Sequence, residues 1–174
     1  LVIKGSDGNV GIGTTSPSQD LEVATSTDST IRITSTNTNI SDDARAGTLQ
    51  YYSSDTNSNT VVGEIVSRTP VSNFGNVFDM AFSTYKINEG ALSEKMRITG
   101  AGNVGIGTAS PSSKLHIFGA DNNSAKITLT NTATSPDNQW SLHAGYNDQS
   151  LRFLGDSTTV MTLLDSGNVG IGTT

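Results

Sequence analysis

Gly8-Asn9-Val10-Gly11-Ile12-Gly13-Thr14 returns without change at 102–108 and again at 167–173 of this 174-residue chain. The copies are 102 − 8 = 94 and 167 − 102 = 65 residues apart. Seven identical residues repeated three times mark a repeat architecture. In an extended strand Val10 and Ile12 point one way, as do Val104 and Ile106, and Val169 and Ile171. Asn and the two glycines of each copy point the other way. An apolar face backed by Gly11 and Gly13, Gly105 and Gly107, or Gly170 and Gly172 suits a strand pressed between close neighbours, because glycine in a strand marks close backbone approach or a bulge. The expectation is that the Val and Ile side chains form a shared assembly core, and that the glycines admit a closely packed backbone behind it.

The likeness extends outward from the heptapeptide. Ser16-Pro17-Ser18 and Ser110-Pro111-Ser112 follow the first two copies, and Leu21-Glu22-Val23 and Leu115-His116-Ile117 come next. Upstream lie Leu1-Val2-Ile3-Lys4, Met96-Arg97-Ile98-Thr99 and Met161-Thr162-Leu163-Leu164, each leading through a Gly turn into the motif. That order predicts a hairpin, then a corner at Ser-Pro that is a chain reversal or a single helical turn, then the next body. The units are 1–20 (end of one repeat plus the first motif), 21–101 (first body), 102–114 (second motif and corner), 115–166 (second body) and 167–174 (start of the third motif). Both ends match interior positions of the repeat, so the expectation is an array that continues in both directions.

Within the bodies the apolar period is two. Leu21/Val23, Ile31/Ile33, Leu115/Ile117 and Ile127/Leu129 are read as short strands, separated by Asn-, Ser- and Asp-rich turns at 37–43, 53–59 and 121–124. Residues 30–34 and 125–130 are matched as equivalents, as are 78–82 and 150–154. The first body is 94 − 65 = 29 residues longer, and the extra length is placed at 61–76. Residues 91–96 can form a helical turn, but no stretch supports a long amphipathic helix. The fold class is all-β: repeated short-strand hairpins and small sandwich-like bodies.

Composition agrees with a chain that shares its core. Thr, Ser, Gly and Asn number 24, 23, 18 and 15, together 80 of 174 residues, while Leu, Ile, Val and Phe number 39. Ordering a backbone costs roughly 1–2 kcal/mol per residue, and burying a large apolar side chain returns roughly 1.5–3 kcal/mol. So few large apolar side chains make a thin core for a lone globule. The net charge of −6 and the absence of Lys/Arg clusters argue against a nucleic-acid surface. No apolar run approaches the length that spans a bilayer as a helix, and the chain contains no cysteine for a disulfide framework.

The sequence Gly-Asn-Val-Gly-Ile-Gly-Thr-Thr-Ser-Pro-Ser, followed by Leu-x-Val or Leu-x-Ile, resembles the repeat of phage tail-fibre and tail-spike-like proteins, many of which end in a self-cleaving chaperone domain. The resemblance is specific at the three motifs and their flanks and weak across the bodies. It implies a parallel homotrimer, a shaft that supports host attachment, and a place on a virion tail fibre or an extracellular surface filament. No cofactor and no catalytic residue is expected in this segment.

The Gly-rich motif lacks both the Gly-x-Gly-x-x-Gly spacing and the Gly-Lys-Ser/Thr ending of nucleotide sites. His116 alternates with Leu115 and Ile117 and is expected to face outward; with His143 in a separate body, no zinc-type cluster forms. Asp42, Asp43, Asp55, Asp121, Asp137 and Asp148 read as turn formers, and Glu64, Glu89 and Glu94 as scattered near strand ends. No calcium loop pattern is present. The best recognition candidates are Trp140 and Tyr146, although Trp140, Leu142 and Ala144 alternate like a buried strand. The leading expectation is therefore a structural fibre segment. The alternatives are a carbohydrate- or receptor-binding module, and a polysaccharide-cleaving spike using paired carboxylates.

Overall fold

The structure is a computed structural model that describes residues 2–3, 8–36, 44–55, 60–69, 77–120, 125–131, 138–145, 149–156 and 158–172. The protein is all-β; among the described residues the one exception is a 3₁₀ turn at Ile87–Glu89. The chain divides into two compact units, residues 1–36 and 37–174. The first holds a three-stranded sheet of β1 (Val2–Ile3), β2 (Val10–Ile12) and β3 (Leu21–Val23), in that order.

The second unit holds two larger sheets, both meanders at heart. Strands β4 (Arg45–Ser53), β5 (Thr60–Arg68), β6 (Asp79–Lys86), β7 (Ala91–Ile98), β8 (Val104–Ile106) and β9 (Leu115–Ile117) lie side by side in chain order. Strands β10 (Lys126–Asn131), β11 (Asn138–Ala144), β12 (Ser150–Gly155), β13 (Thr158–Leu164) and β14 (Val169–Ile171) do the same. All neighbours are antiparallel except β2–β3 and β8–β9, which are parallel.

The register makes the two bodies equivalent strand by strand. One cross-strand row of the six-stranded sheet runs Leu49, Ile65, Phe82, Met96, Ile106, Ile117. The matching row of the five-stranded sheet runs Ile127, Leu142, Phe153, Met161, Ile171. Both sheets carry a bulge just after the row's Phe, where Lys95 and Val160 are the extra residues. The carbonyls of those two residues accept the N–H of Gly107 (2.9 Å) and Gly172 (3.0 Å), the last glycine of each motif. The bulge thus sets where the motif strand docks.

Four expectations change. Residues 24–36, including Ile31 and Ile33, form no strand, and both side chains are exposed; the counterpart of β10 in the first body is β4. Residues 91–96 belong to β7 and form no helical turn, because Leu92, Met96 and Ile98 pair with β6 and β8. The Ser-Pro corner is a series of bends without a helix. The extra length is not concentrated at 61–76. Val23 and Leu49 are 49 − 23 = 26 positions apart, against 127 − 117 = 10 for Ile117 and Ile127. The β5–β6 and β6–β7 connections add six residues each: 82 − 65 = 17 against 153 − 142 = 11, and 96 − 82 = 14 against 161 − 153 = 8. The clusters at 37–43 and 121–124 lie outside the described residues.

Candidate functional site

The motif builds a corner from its own residues. The connection from β2 to β3 spans only residues 13–20, and that from β8 to β9 only 107–114, where parallel strands ordinarily need about a dozen residues or more to cross over. Backbone bonds close each end: Val10 N to Asp20 O (2.8 Å) and Ala24 N to Ile12 O (2.9 Å), then Val104 N to Lys114 O (2.8 Å) and Phe118 N to Ile106 O (2.9 Å). The side chains of Asn9 and Asn103 donate to the carbonyls of Pro17 (3.4 Å) and Pro111 (3.3 Å). Thr14 and Thr108 hydroxyls accept from Ser16 N (3.2 Å) and Ser110 N (3.1 Å). Ser18 N donates to the carboxylate of Glu22 (2.7 Å), and at the equivalent place Ser112 N donates to Nδ1 of His116 (3.3 Å).

The glycines are required by this corner. A Cβ on Gly11 would lie 2.6 Å from the Thr14 carbonyl, and one on Gly107 2.5 Å from the Phe118 carbonyl. Gly13 and Gly107 also hold φ of +80° and +74°, a region that costs an L-residue with a side chain. The close approach inferred from the sequence is real at Gly11, Gly13, Gly105 and Gly107. Its partner is the chain's own corner, since the strand returns so quickly that its carbonyls abut the motif. Among the described residues no atom lies within 4 Å of a Cβ on Gly172.

The sheets present two unlike faces. On the face of Leu49, Phe82 and Met96, a second row of Met80, Ile98, Val104 and Leu115 continues the apolar surface. In the other body Ala144, Leu151, Leu163 and Val169 do the same. Much of this surface is open: Ile106 is 42%, Leu115 54% and Ile171 77% exposed. Among the described residues only Val66 and Ala81 are fully buried apolar side chains. The motif side chains follow suit: Val10 and Val104 are half-buried, while Ile12, Ile106, Val169 and Ile171 are exposed. At the β9 end of the six-stranded sheet, Leu115 and Ile117 line a cavity of about 220 Å³ together with Ile127, Leu142 and Leu151, so the two apolar faces meet.

The opposite face of the six-stranded sheet carries charges, and it is the closed one. Arg45 reaches Glu64 (2.6 Å), Arg68 bridges Glu64 (3.7 Å) and Glu94 (3.9 Å), and Arg97 grips Glu94 with two nitrogens (2.8 and 2.7 Å) and Asp79 with a third (3.0 Å). Among the described residues this network joins three arginines to three carboxylates. The side chains of Glu64 and Asp79 are 2% and 3% exposed. Burial by itself raises the Glu64 carboxyl, but hydrogen bonds from Arg45 and Gln50 and the charges of Arg45 and Arg68 outweigh it and hold the group below its ordinary value. The twin bonds to Glu94, with those to Asp79, keep Arg97 more firmly protonated than an exposed arginine, against the opposing effect of its burial. Glu64 and Glu94 are therefore interior members of this network, and Glu89 sits in the 3₁₀ turn. The legible signal was the spacing: Glu64 and Arg68 share a strand face, but the partner strands were not visible in the sequence.

Trp140 is about half exposed. Its ring lies over Gly155, with ring carbons 3.5–3.6 Å from where a Cβ would stand, and Tyr51 covers Gly63 in the same row of the other body (3.6 Å). Tyr146 lies outside the described residues. His116 is half-buried and packs edge-on against Phe118, with centroids 6.2 Å apart, so it does not face freely outward. His143 is buried, and among the described residues its Nε2 has no hydrogen-bond partner. No protein-family model matches the chain, and no curated protein matches it.

Proposed function

We propose that this chain is a structural segment of an extracellular fibre, comparable to the shaft of a phage tail fibre, in which bodies follow one another along the chain and copies associate as a homotrimer to support host attachment. The observation that carries the reading is the repetition itself. Two bodies share strand order, register, bulge position and motif docking, and the same corner leads out of the motif twice. Such repetition is the sign of a chain built by stacking units. The resemblance of the motif and its flanks to tail-fibre repeats supplies the trimer and the virion setting. Multi-angle light scattering and negative-stain electron microscopy test it: a rod with three chains per particle is the expected result. A stable, folded single chain would overturn it.

One observation favours a second reading, a carbohydrate- or receptor-binding module. Trp140 and Tyr51 are aromatic rings laid on glycines with a face toward solvent, a surface on which sugars stack. Glycan-array binding that is lost in Trp140→Ala would support this reading over the shaft.

A further inference from the structure

We infer that the two apolar sheet faces form one continuous surface whose occupant is a second copy of this chain, packed face inward, while the charged face of the six-stranded sheet turns outward. This rests on the fibre reading and assigns it a surface. The first argument is a comparison within the chain. The apolar rows match position for position, with Phe82 opposite its counterpart Phe153, Met96 opposite Met161 and Ile106 opposite Ile171. The other face does not match: Ala81 answers to Arg152, Arg97 to Thr162 and Asp79 to Ser150. A common interface demands the same apolar side chains in every body, and it leaves the remaining face free to differ.

The second argument is continuity. The cavity lined by Leu115 and Ile117 from one sheet and by Ile127, Leu142, Leu151 and the side chain of Lys126 from the other joins the faces. A partner covering both must itself present apolar side chains at the repeat spacing, which a copy of this chain does in register. The third is area. The exposed apolar side chains of the two faces amount to on the order of 1,000 Å² per copy, the scale that obligate interfaces bury. The charged face makes no such demand, since its Glu64, Asp79 and Arg97 are already covered and paired.

Introduced cysteines test the assignment, because the chain has none of its own. Phe153 lies on the apolar face of β12, the central strand of its sheet, where the assignment brings the copies together. Phe153→Cys is expected to oxidise into disulfide-linked chains, and Thr128→Cys, on the opposite face, to remain single on a non-reducing denaturing gel. In parallel, Phe153→Asp and Ile106→Asp should cut the assembled fraction at least tenfold, with Thr128→Asp unchanged. Where the Asp variants lose their β circular dichroism, the cysteine pair still decides. An assembled protein that links through Thr128→Cys, or through neither position, overturns the face assignment and leaves the fibre reading standing. A folded monomer overturns both.

Discussion

Each residue of the repeated motif has a task in its own corner, and the tasks can be separated by substitution. Gly107→Ala meets two penalties: a positive φ, worth about 1–2 kcal/mol, and a clash with the Phe118 carbonyl that adds roughly 1–3 kcal/mol. Gly90, at φ +66° after the 3₁₀ turn and with nothing among the described residues within 4 Å of its Cβ, meets the first alone. Denaturant melts should therefore show Gly107→Ala losing clearly more stability than Gly90→Ala; equal losses would mean that the corner is not crowded. Gly105→Val should behave like Gly107→Ala, since Thr108 and Pro111 crowd it. His116→Ala gives up two long, exposed hydrogen bonds to Ser112 and an edge contact with Phe118. Its cost is expected within about 0.5–1 kcal/mol.

At the scale of the element, the six-stranded sheet is tied across β4 to β7 by its ion network. Removing one partner of a buried pair costs far more than the pair contributes, about 3–5 kcal/mol, because the other charge is stranded. Arg97→Met takes the guanidinium from buried Asp79 and leaves it the Gly100 N–H (3.0 Å). It should lower the melting temperature sharply, whereas Lys86→Met, at an exposed turn pair, should leave it in place. The network also sets an acid limit. The Glu64 carboxyl is lowered in the folded state, so its contribution is complete above the ordinary carboxylate value of 4.5 and is lost as pH falls through the lower folded one. Melting followed from pH 7 downward should decline there in the parent and decline less in Glu64→Gln, which is weaker at neutral pH.

For the whole molecule, the inward apolar face predicts that folding and association are coupled, so thermal midpoints should rise with protein concentration. Trp140 is the sole tryptophan and lies on the apolar face, two positions from Leu142 along β11. Its emission should shift to shorter wavelength on assembly and resist acrylamide quenching. An assembled protein whose tryptophan stays red-shifted and quenchable would place Trp140 on the outside and favour the sugar-stacking reading.

The primary structure alone determined the all-β class, the repeat and its hairpin, because period-two alternation, Gly turns and three identical heptapeptides are local signals that need no partner strand. It also marked glycines 11, 13, 105 and 107 as places of close approach. What approaches them depended on the tertiary structure: the strand that returns parallel over residues 107–114 is paired through backbone atoms, which leave no trace in side-chain pattern. The ion network was hidden for a related reason, since Arg45, Glu64, Asp79 and Arg97 stand on four strands and meet only when register is set. Ile31 and Ile33 show the converse. Alternation is a sufficient pattern for a strand, but only an available sheet edge makes one. The edge beside β5 is taken by Arg45–Ser53, whose longer run satisfies more of its backbone groups.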